Sequence, residues 1–238
     1  MPTISSTTLS TAPSEIDGIA LVVRRHPRAR RMKLRYDGER DRLLLTVPPR
    51  ASLRRAYGWA CTQRPWIARQ RAARVEPLPL LPGNVLPYRG ATLTLVHNPD
   101  APRRAMIDGD RLIIGGPIDG FARRAESWLK REARRLLSAD VAEFAARGGL
   151  DCASVSVGNA RTRWGSCTSG GRIRFNWRLV CAPDAVRRYV AAHEVAHRRH
   201  MDHGRAFHAL EEELFGGPVE AERKALLALG PGLQRIAR

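Results

Sequence analysis

Short hydrophobic runs bounded by turn residues dominate the first half of the chain and predict β-strands. Strands are expected at residues 19–24, 32–36, 43–47, 92–97, 105–107 and 111–114, and Asp108-Gly109 joins the last two in a tight hairpin. Residues 51–75 predict a helix that Pro65 kinks or divides, and the prolines within 76–90 predict a connector. Residues 1–17 are rich in Ser and Thr and predict a disordered tail.

The second half of the chain carries longer helical patterns. Residues 121–146 predict an amphipathic helix with Phe121, Leu129 and Phe144 on or near one face, and Gly148-Gly149 ends it. Strands are expected at 154–158, 162–167 and 172–180, and helices at 184–200, 206–215 and 219–229. We therefore expect an α+β protein, with a β-rich N-terminal region at 18–118 that contains one helix, and a second domain at 119–238.

One short sequence recurs along the chain. Arg54-Arg55-Ala56-x-x-Trp59 matches Arg123-Arg124-Ala125-x-x-Trp128, and each copy follows an Asp-Gly turn and a proline. Two copies of a hairpin-then-helix unit would explain the match, and so would coincidence in a chain rich in Arg and Ala. The helical spacing of these tryptophans favours core packing, with stacking on nucleic-acid bases as the alternative.

Positive charge is the strongest bias in the composition. Lys and Arg number 41 and Asp and Glu number 23, which gives a formal net charge of +18. Such a charge permits nucleic acid, a phosphorylated ligand or a membrane surface as a partner. The arginines are spread along the chain without a dense run, so a bias of the source genome explains them as well.

The cysteines and the N-terminus indicate the compartment. Cys61, Cys152, Cys167 and Cys181 show no close pairing, which is typical of reduced thiols rather than of a disulfide framework. Residues 1–17 lack the basic start and apolar centre of a secretory signal, and no apolar run approaches the roughly 20 residues that span a bilayer. We expect a cytoplasmic protein with no membrane partner.

A cluster of histidines carries the candidate chemistry. His193-Glu194-Val195-Ala196-His197 matches the pattern H-E-x-x-H within a predicted helix. Residues four apart lie on one helix face about one turn apart, so both imidazoles can reach one metal ion. Glu194 lies beside that face, where it can meet a metal-bound water. Two packed or solvated histidines are the alternative interpretation.

A catalytic zinc ion takes three protein ligands and leaves its fourth position to water. His203 is the favoured third ligand, because Gly204 lets the chain turn back towards the metal. His200 lies about two helical turns beyond His193 and is less suited. His208, on the next predicted helix, stays an alternative, and Asp202 fits better as a helix cap or a partner of a ligand.

Further motifs surround this cluster: Arg163-Trp164-Gly165-Ser166-Cys167, Asn176-Trp177-Arg178-Leu179 and Tyr189-Val190. With them the chain resembles the YgjP-like metallopeptidase family, closely over roughly 120–238 and more loosely before that, and is more distantly similar to the WLM and SprT-type zinc proteases. The resemblance implies a minimal zincin-like catalytic domain made of a supporting helix, a small antiparallel sheet and the H-E-x-x-H helix. It implies one Zn²⁺ per chain on His193, His197 and His203, with Glu194 as general base. Phe207-His208 departs from the family, where a large aromatic follows the Phe.

Several side chains are candidates for the wall of a substrate cleft: Arg163, Trp164, Gly165, Ser166, Tyr189 and His208. The segment 163–167 could be an edge strand on which a peptide adds, or simple scaffolding. The first hypothesis is a zinc peptidase that acts on a peptide or protein. One alternative is a metal-dependent hydrolase of nucleotides or other phosphoanhydrides, because arginines at 163, 172, 174 and 178 suit phosphate oxygens. The other is a basic zinc protein associated with nucleic acid.

Overall fold

The structure, a computed structural model, describes residues 14–38, 40–72 and 76–237. The chain divides into two compact units, Met1–Glu76 and Pro77–Arg238. This division lies earlier than the expected boundary at 118/119, because the strands between residues 85 and 114 contribute to the core of the second unit. Residues 1–13 of the expected disordered tail lie outside the described residues, and Glu15–Ile16 forms a short strand instead.

The N-terminal unit is a four-stranded sheet with two helices. Its strands are β1 (Glu15–Ile16), β2 (Ile19–Arg25), β3 (Lys33–Asp37) and β4 (Arg42–Val47), in the order β1-β2-β4-β3. The expected helix at 51–75 is divided into α1 (Leu53–Thr62) and α2 (Arg64–Ala72). Pro65 lies in the first turn of α2, where its missing N–H removes no helical hydrogen bond. Alternate residues of β2 and β4 pack on α1 and α2 to form the core.

The C-terminal unit begins with a second four-stranded sheet, made of β5 (Val85–Tyr88), β6 (Ala91–His97), β7 (Met106–Asp108) and β8 (Arg111–Ile114). β5 falls in the expected connector, so that prediction is wrong for these residues. Leu86 is buried opposite Leu93, and Pro87 is tolerated because β5 is an edge strand. A short 3-10 turn then leads into α3 (Phe121–Gly148), which ends at Gly149 in the left-handed conformation.

The two four-stranded sheets share one topology. Each has an antiparallel first hairpin, a parallel central pair and an antiparallel outer pair. In both, the first hairpin turns through two consecutive residues with positive φ, Asp17-Gly18 and Arg89-Gly90. Each sheet is followed by a helix that carries the recurring sequence, with its alanine fully buried. The recurring sequence therefore falls on equivalent positions of a repeated fold.

The rest of the chain forms a small sheet and three helices: β9 (Ser154–Gly158), β10 (Gly165–Cys167), β11 (Arg172–Asn176), α4 (Asp184–Ala196), α5 (Arg205–Phe215) and α6 (Glu220–Gln234). The sheet is mixed rather than antiparallel, because β9 pairs parallel to β11 while β10 pairs antiparallel to it. The strand expected at 172–180 ends at Asn176, whose side chain accepts a hydrogen bond from the Arg178 N–H and starts a 3-10 turn, Trp177–Cys181.

The helix expected at 184–200 ends four residues early, at Ala196. Tertiary hydrogen bonds hold the residues that follow. Arg198 donates to the carbonyls of Asp151 and Ser169, and Arg199 donates to the carbonyl of Gly148. These contacts turn the chain out of the helix.

Buried ion pairs fix α4 against α3. The guanidinium of Arg187 lies 2.7 Å from the carboxylate of Asp140, and Arg188 reaches Asp140 at 3.3 Å and Glu143 at 2.7 Å. Asp140 and Arg187 are both nearly inaccessible to solvent.

The α+β class expected from the sequence is confirmed. No helix in the part of the chain that the structure describes is long and apolar enough to cross a membrane.

Candidate metal centre

Three imidazoles meet at the C-terminal end of α4. His193 lies in the last turn of the helix, His197 caps it, and His203 comes from the loop that leads to α5. One ligand atom from each side chain can be chosen so that all three lie within 4.8 Å of one another, and the Nε2 atoms of His193 and His203 are 3.3 Å apart. The early end of α4 lets the loop return, so that His203 can approach the helix. This group could hold a metal ion.

A buried carboxylate orients the first of these rings. Glu211, on α5, is fully buried, and its Oε1 lies 2.7 Å from His193 Nδ1. Its Oε2 lies 3.1 Å from His208 Nδ1 and 3.5 Å from the guanidinium of Arg223. Burial raises the pKa of Glu211, but its hydrogen bonds to the two histidines outweigh burial and hold the pKa below its ordinary value. His193 therefore turns its Nδ1 towards Glu211 and its Nε2 towards the cluster.

The backbone orients the second ring. His197 Nδ1 lies 3.0 Å from the carbonyl oxygen of His200, which directs the other ring nitrogen away from that carbonyl. Burial lowers the pKa of His197, which favours the neutral imidazole that a metal ion requires. His200 contributes this carbonyl, and its side chain does not belong to the three-residue group.

Glu194, which follows His193 in the chain, is buried without the partners that Glu211 has. Its Oε2 has no hydrogen-bond partner among the described residues, and burial raises the pKa of its carboxyl to about 7, against the opposing charges of His193 and Arg163. A Cβ atom added to Gly165 would overlap the Glu194 carboxylate, so β10 approaches α4 this closely only because residue 165 is glycine. The carboxylate is thus held against the backbone of β10.

A family model for the YgjP-like metallopeptidase domain matches residues 30–227. The chain belongs to the YgjP-like family. A search of curated proteins and a search of solved structures each gave no match. The α+β fold of the chain is thus that of a zincin-like domain preceded by a β-rich region. Membership of a metallopeptidase family implies that the protein is a hydrolase that uses a metal.

The YgjP-like domain places the expected cleft residues in different surroundings. Gly165 and Ser166 lie on β10, an edge strand of the small sheet, and Arg163 is exposed just before it. Trp164 packs against the core, close to Gly230 on α6. Tyr189 is almost fully buried, with its ring 6.2 Å from that of His193. It therefore packs behind the histidine.

One arginine proposed for phosphate oxygens has a structural role instead. Arg178 is fully buried, and its guanidinium donates to the carbonyl of Ile236 at 2.8 Å and to the side chain of Asn159. It also lies over the ring of Trp177, 4.5 Å from the centroid. Arg172 and Arg174 are exposed on β11.

Sequence reasoning missed Glu211 at the YgjP-like site, and it noted Phe207 only as part of the family motif without predicting its contacts. Phe207 is fully buried beneath the rings of His193, His197 and His203, with centroid distances of 5.0, 4.7 and 4.7 Å. Both residues lie on α5 four positions apart, so they share one helix face. Their place in the helix that directly follows the third histidine is the sequence signal for Phe207, whereas three consecutive glutamates there leave Glu211 undetermined.

Proposed function

We propose that this chain is a zinc-dependent metallopeptidase, in which His193, His197 and His203 hold the metal and Glu194 is the general base. The observation that supports this most directly is the convergence of the three imidazoles at the end of α4, the helix that also carries Glu194, a buried carboxylate whose Oε2 lacks a hydrogen-bond partner among the described residues. A structural pair of histidines would need neither the third ring nor that carboxylate.

The donor set fits zinc. Imidazole nitrogens are ligands that zinc prefers, and a catalytic site uses three protein ligands. Histidine ligands ordinarily give their other ring nitrogen to a carboxylate or a backbone carbonyl, as His193 does with Glu211 and His197 with His200. When bound, zinc would lower the pKa of a water towards 7 and polarise the scissile carbonyl.

Glu194 suits the transfer of protons near neutral pH. In the metal-free protein, burial raises the pKa of its carboxyl to about 7, which places it between the charged and the neutral form at that pH. The free Oε2 can accept a proton from the attacking water and then donate it to the departing amine. Gly165 sets the distance between this carboxylate and β10, where a substrate would lie.

The edge strand β10 supports a peptide or protein as substrate. β10 pairs with β11 on one side only within its sheet, so the backbone groups of Gly165–Cys167 can pair with an extended peptide on the other side. Addition of the peptide as a further strand would lay it next to Gly165 and therefore next to Glu194.

Metal analysis and one pair of variants test the proposal. Purified protein should contain about one zinc ion per chain, and the double variant His193→Ala/His197→Ala should lose it. Glu194→Gln should keep the zinc and lose casein hydrolysis by ~100-fold or more, the effect of a missing general base. His26→Ala, in the N-terminal unit, is the control that should change neither.

Two outcomes would contradict the proposal. If folded protein that was purified in the presence of zinc contains no zinc, the proposed metal site is ruled out. Retained peptidase activity in Glu194→Gln would remove Glu194 as the base. Nucleoside triphosphates are assayed beside casein. Hydrolysis of the triphosphates but not of casein would contradict the peptidase hypothesis and support the phosphoanhydride hydrolase.

A further inference from the structure

The repeated fold carries a cavity at equivalent positions of its two copies. In the N-terminal unit a cavity of about 440 Å³ lies between the segment before β3 and the start of α1, and its wall includes Arg30, Arg31, Met32, Arg55 and Trp59. Ligand cavities commonly have volumes of about 300–1,000 Å³, so this space is large enough for a small ligand group.

The C-terminal unit places matching residues around two cavities. Arg103 and Arg104 stand before β7 as Arg30 and Arg31 stand before β3, and Arg124 and Trp128 occupy the α3 positions that match Arg55 and Trp59. Arg103 and Arg124 line one cavity of about 400 Å³, and Arg104 and Trp128 line another of about 620 Å³. Matching residues therefore line cavities in both copies, one cavity in the N-terminal unit and two in the C-terminal unit.

The charge of the cavities differs between the copies. Asp119 and Glu132 line those of the C-terminal unit, and Glu132 pairs with Arg135 at 2.6 Å. The residues that line the N-terminal cavity include no carboxylate. Each C-terminal cavity thus has one carboxylate beside its three arginines, whereas the N-terminal cavity has three arginines and no carboxylate in its wall.

Three acidic residues of the N-terminal unit pair with arginines that do not line this cavity. Residues 1–76 hold 16 of the basic and 6 of the acidic side chains, a net charge of +10. Within the described ranges, its ion pairs join Asp17, Asp37 and Asp41 to Arg64, Arg42 and Arg71. Among the side chains described, Arg30, Arg31 and Arg55 have no carboxylate within ion-pair distance. Three cations without counter-charges around one cavity are suited to an anion.

We propose that the N-terminal unit binds single-stranded nucleic acid in this cavity. Guanidinium groups pair with phosphate oxygens in a bidentate manner, and the half-buried Trp59 offers an aromatic face in the same wall. Bases stack on such a face only when they are unstacked from their neighbours, so the combination favours a single strand over a duplex. This proposal does not depend on the metal centre.

Binding of fluorescent 12-residue oligonucleotides to the full chain tests the proposal, with RNA and DNA compared by anisotropy over a range of salt concentrations. Arg30→Gln/Arg31→Gln should weaken binding at least tenfold and reduce the slope of log affinity against log salt by about 1.4, the value for two phosphate contacts of a single strand. Arg103→Gln/Arg104→Gln removes the same charge from matching positions and should change affinity less than twofold.

Trp59→Leu should weaken binding of the single strand about tenfold and leave the salt slope unchanged, because it removes stacking without removing charge. Thermal melts verify that each variant is folded. Absence of binding at low salt, or equal weakening by the two double variants, would overturn the proposal. Equal affinity for a duplex or for polyphosphate, insensitive to Trp59→Leu, would overturn it too and leave a nonspecific polyanion surface.

Discussion

Removal of the Glu211 carboxylate should weaken metal binding without touching a metal ligand. In Glu211→Gln the side chain keeps its shape, but its charge is lost and an amide nitrogen replaces one oxygen. The amide oxygen can still accept a hydrogen bond from His193, but without the negative charge that bond is weaker, and the amide nitrogen cannot accept from His208 or Arg223. His193 would then be held less firmly, and its ring nitrogen would be less basic towards a metal.

The expected losses of metal affinity and of stability follow from the hydrogen bonds of Glu211 and from its burial. Loss of a hydrogen-bond partner behind a ligating histidine lowers metal affinity about 10- to 100-fold. In Glu211→Ala, His193 and Arg223 also lose a buried acceptor, which should lower the free energy of unfolding of the metal-free protein by about 1–3 kcal/mol. The two variants therefore separate the positioning role of Glu211 from its contribution to stability.

Competition with a fluorescent zinc chelator measures the affinity, and melts with and without zinc measure the stability. Zinc should stabilise Glu211→Gln less than the unmodified protein, by about 1.4 kcal/mol for each tenfold loss of affinity. Glu213→Gln removes an exposed carboxylate from the same helix and is the matched control. Unchanged zinc affinity in a folded Glu211→Gln protein would refute the reasoning.

Three further predictions concern the same unit. Gly165→Ala should lower peptidase activity ~100-fold or more, as measured on casein, because its methyl group would displace the Glu194 carboxylate; unchanged activity would contradict the close approach. Glu194→Gln should raise the melting temperature of the metal-free protein at pH 8, because it removes the buried negative charge of Glu194, whose Oε2 lacks a partner among the described residues. A lower melting temperature would contradict this. Hydrogen bonds from Arg89 hold the pKa of Asp184 below its ordinary value, so its stabilisation is present above about pH 4 and is lost as pH falls. The melting temperature of Asp184→Asn should therefore lie below that of the unmodified protein at pH 7, and the difference should shrink as pH falls below about 4; a constant difference would contradict the assignment.

The local signals in the sequence predicted most of the elements but not where some of them end. The expected hairpin of Ala105–Ile107 with 111–114 and the helix from Phe121 occur within about two residues of their predicted bounds, because their turns and their hydrophobic faces are encoded locally. The end of α4 depends instead on carbonyls that Arg198 and Arg199 meet more than twenty residues away along the chain. Periodicity carries no information about such contacts.

The difference between locally encoded features and features set by distant contacts also applies to the site. The spacing of His193 and His197 predicted one shared helix face, and Gly204 predicted the turn that brings His203 back to it. Glu211 could not be identified in this way, because α5 contains three consecutive glutamates and only packing against α4 decides which one is buried. Trp164 and Tyr189 are candidates for the cleft wall, and the sequence pattern carries no information about the tertiary packing that buries most of their surface.

Two buried carboxylates, Glu194 and Glu211, have surroundings that suit different roles in the proposed site. Glu211 has partners on both oxygens, which stabilise its charged form and make it a weak proton acceptor. Glu194 is buried against Gly165 with one oxygen free of partners among the described residues, and burial raises its pKa to about 7. A proton held with such a pKa can be taken up and released near neutral pH, whereas a proton on Glu211 would break the bond that orients His193. Their surroundings alone, without the H-E-x-x-H pattern, therefore favour Glu194 as the base and Glu211 as the residue that positions the metal ligand.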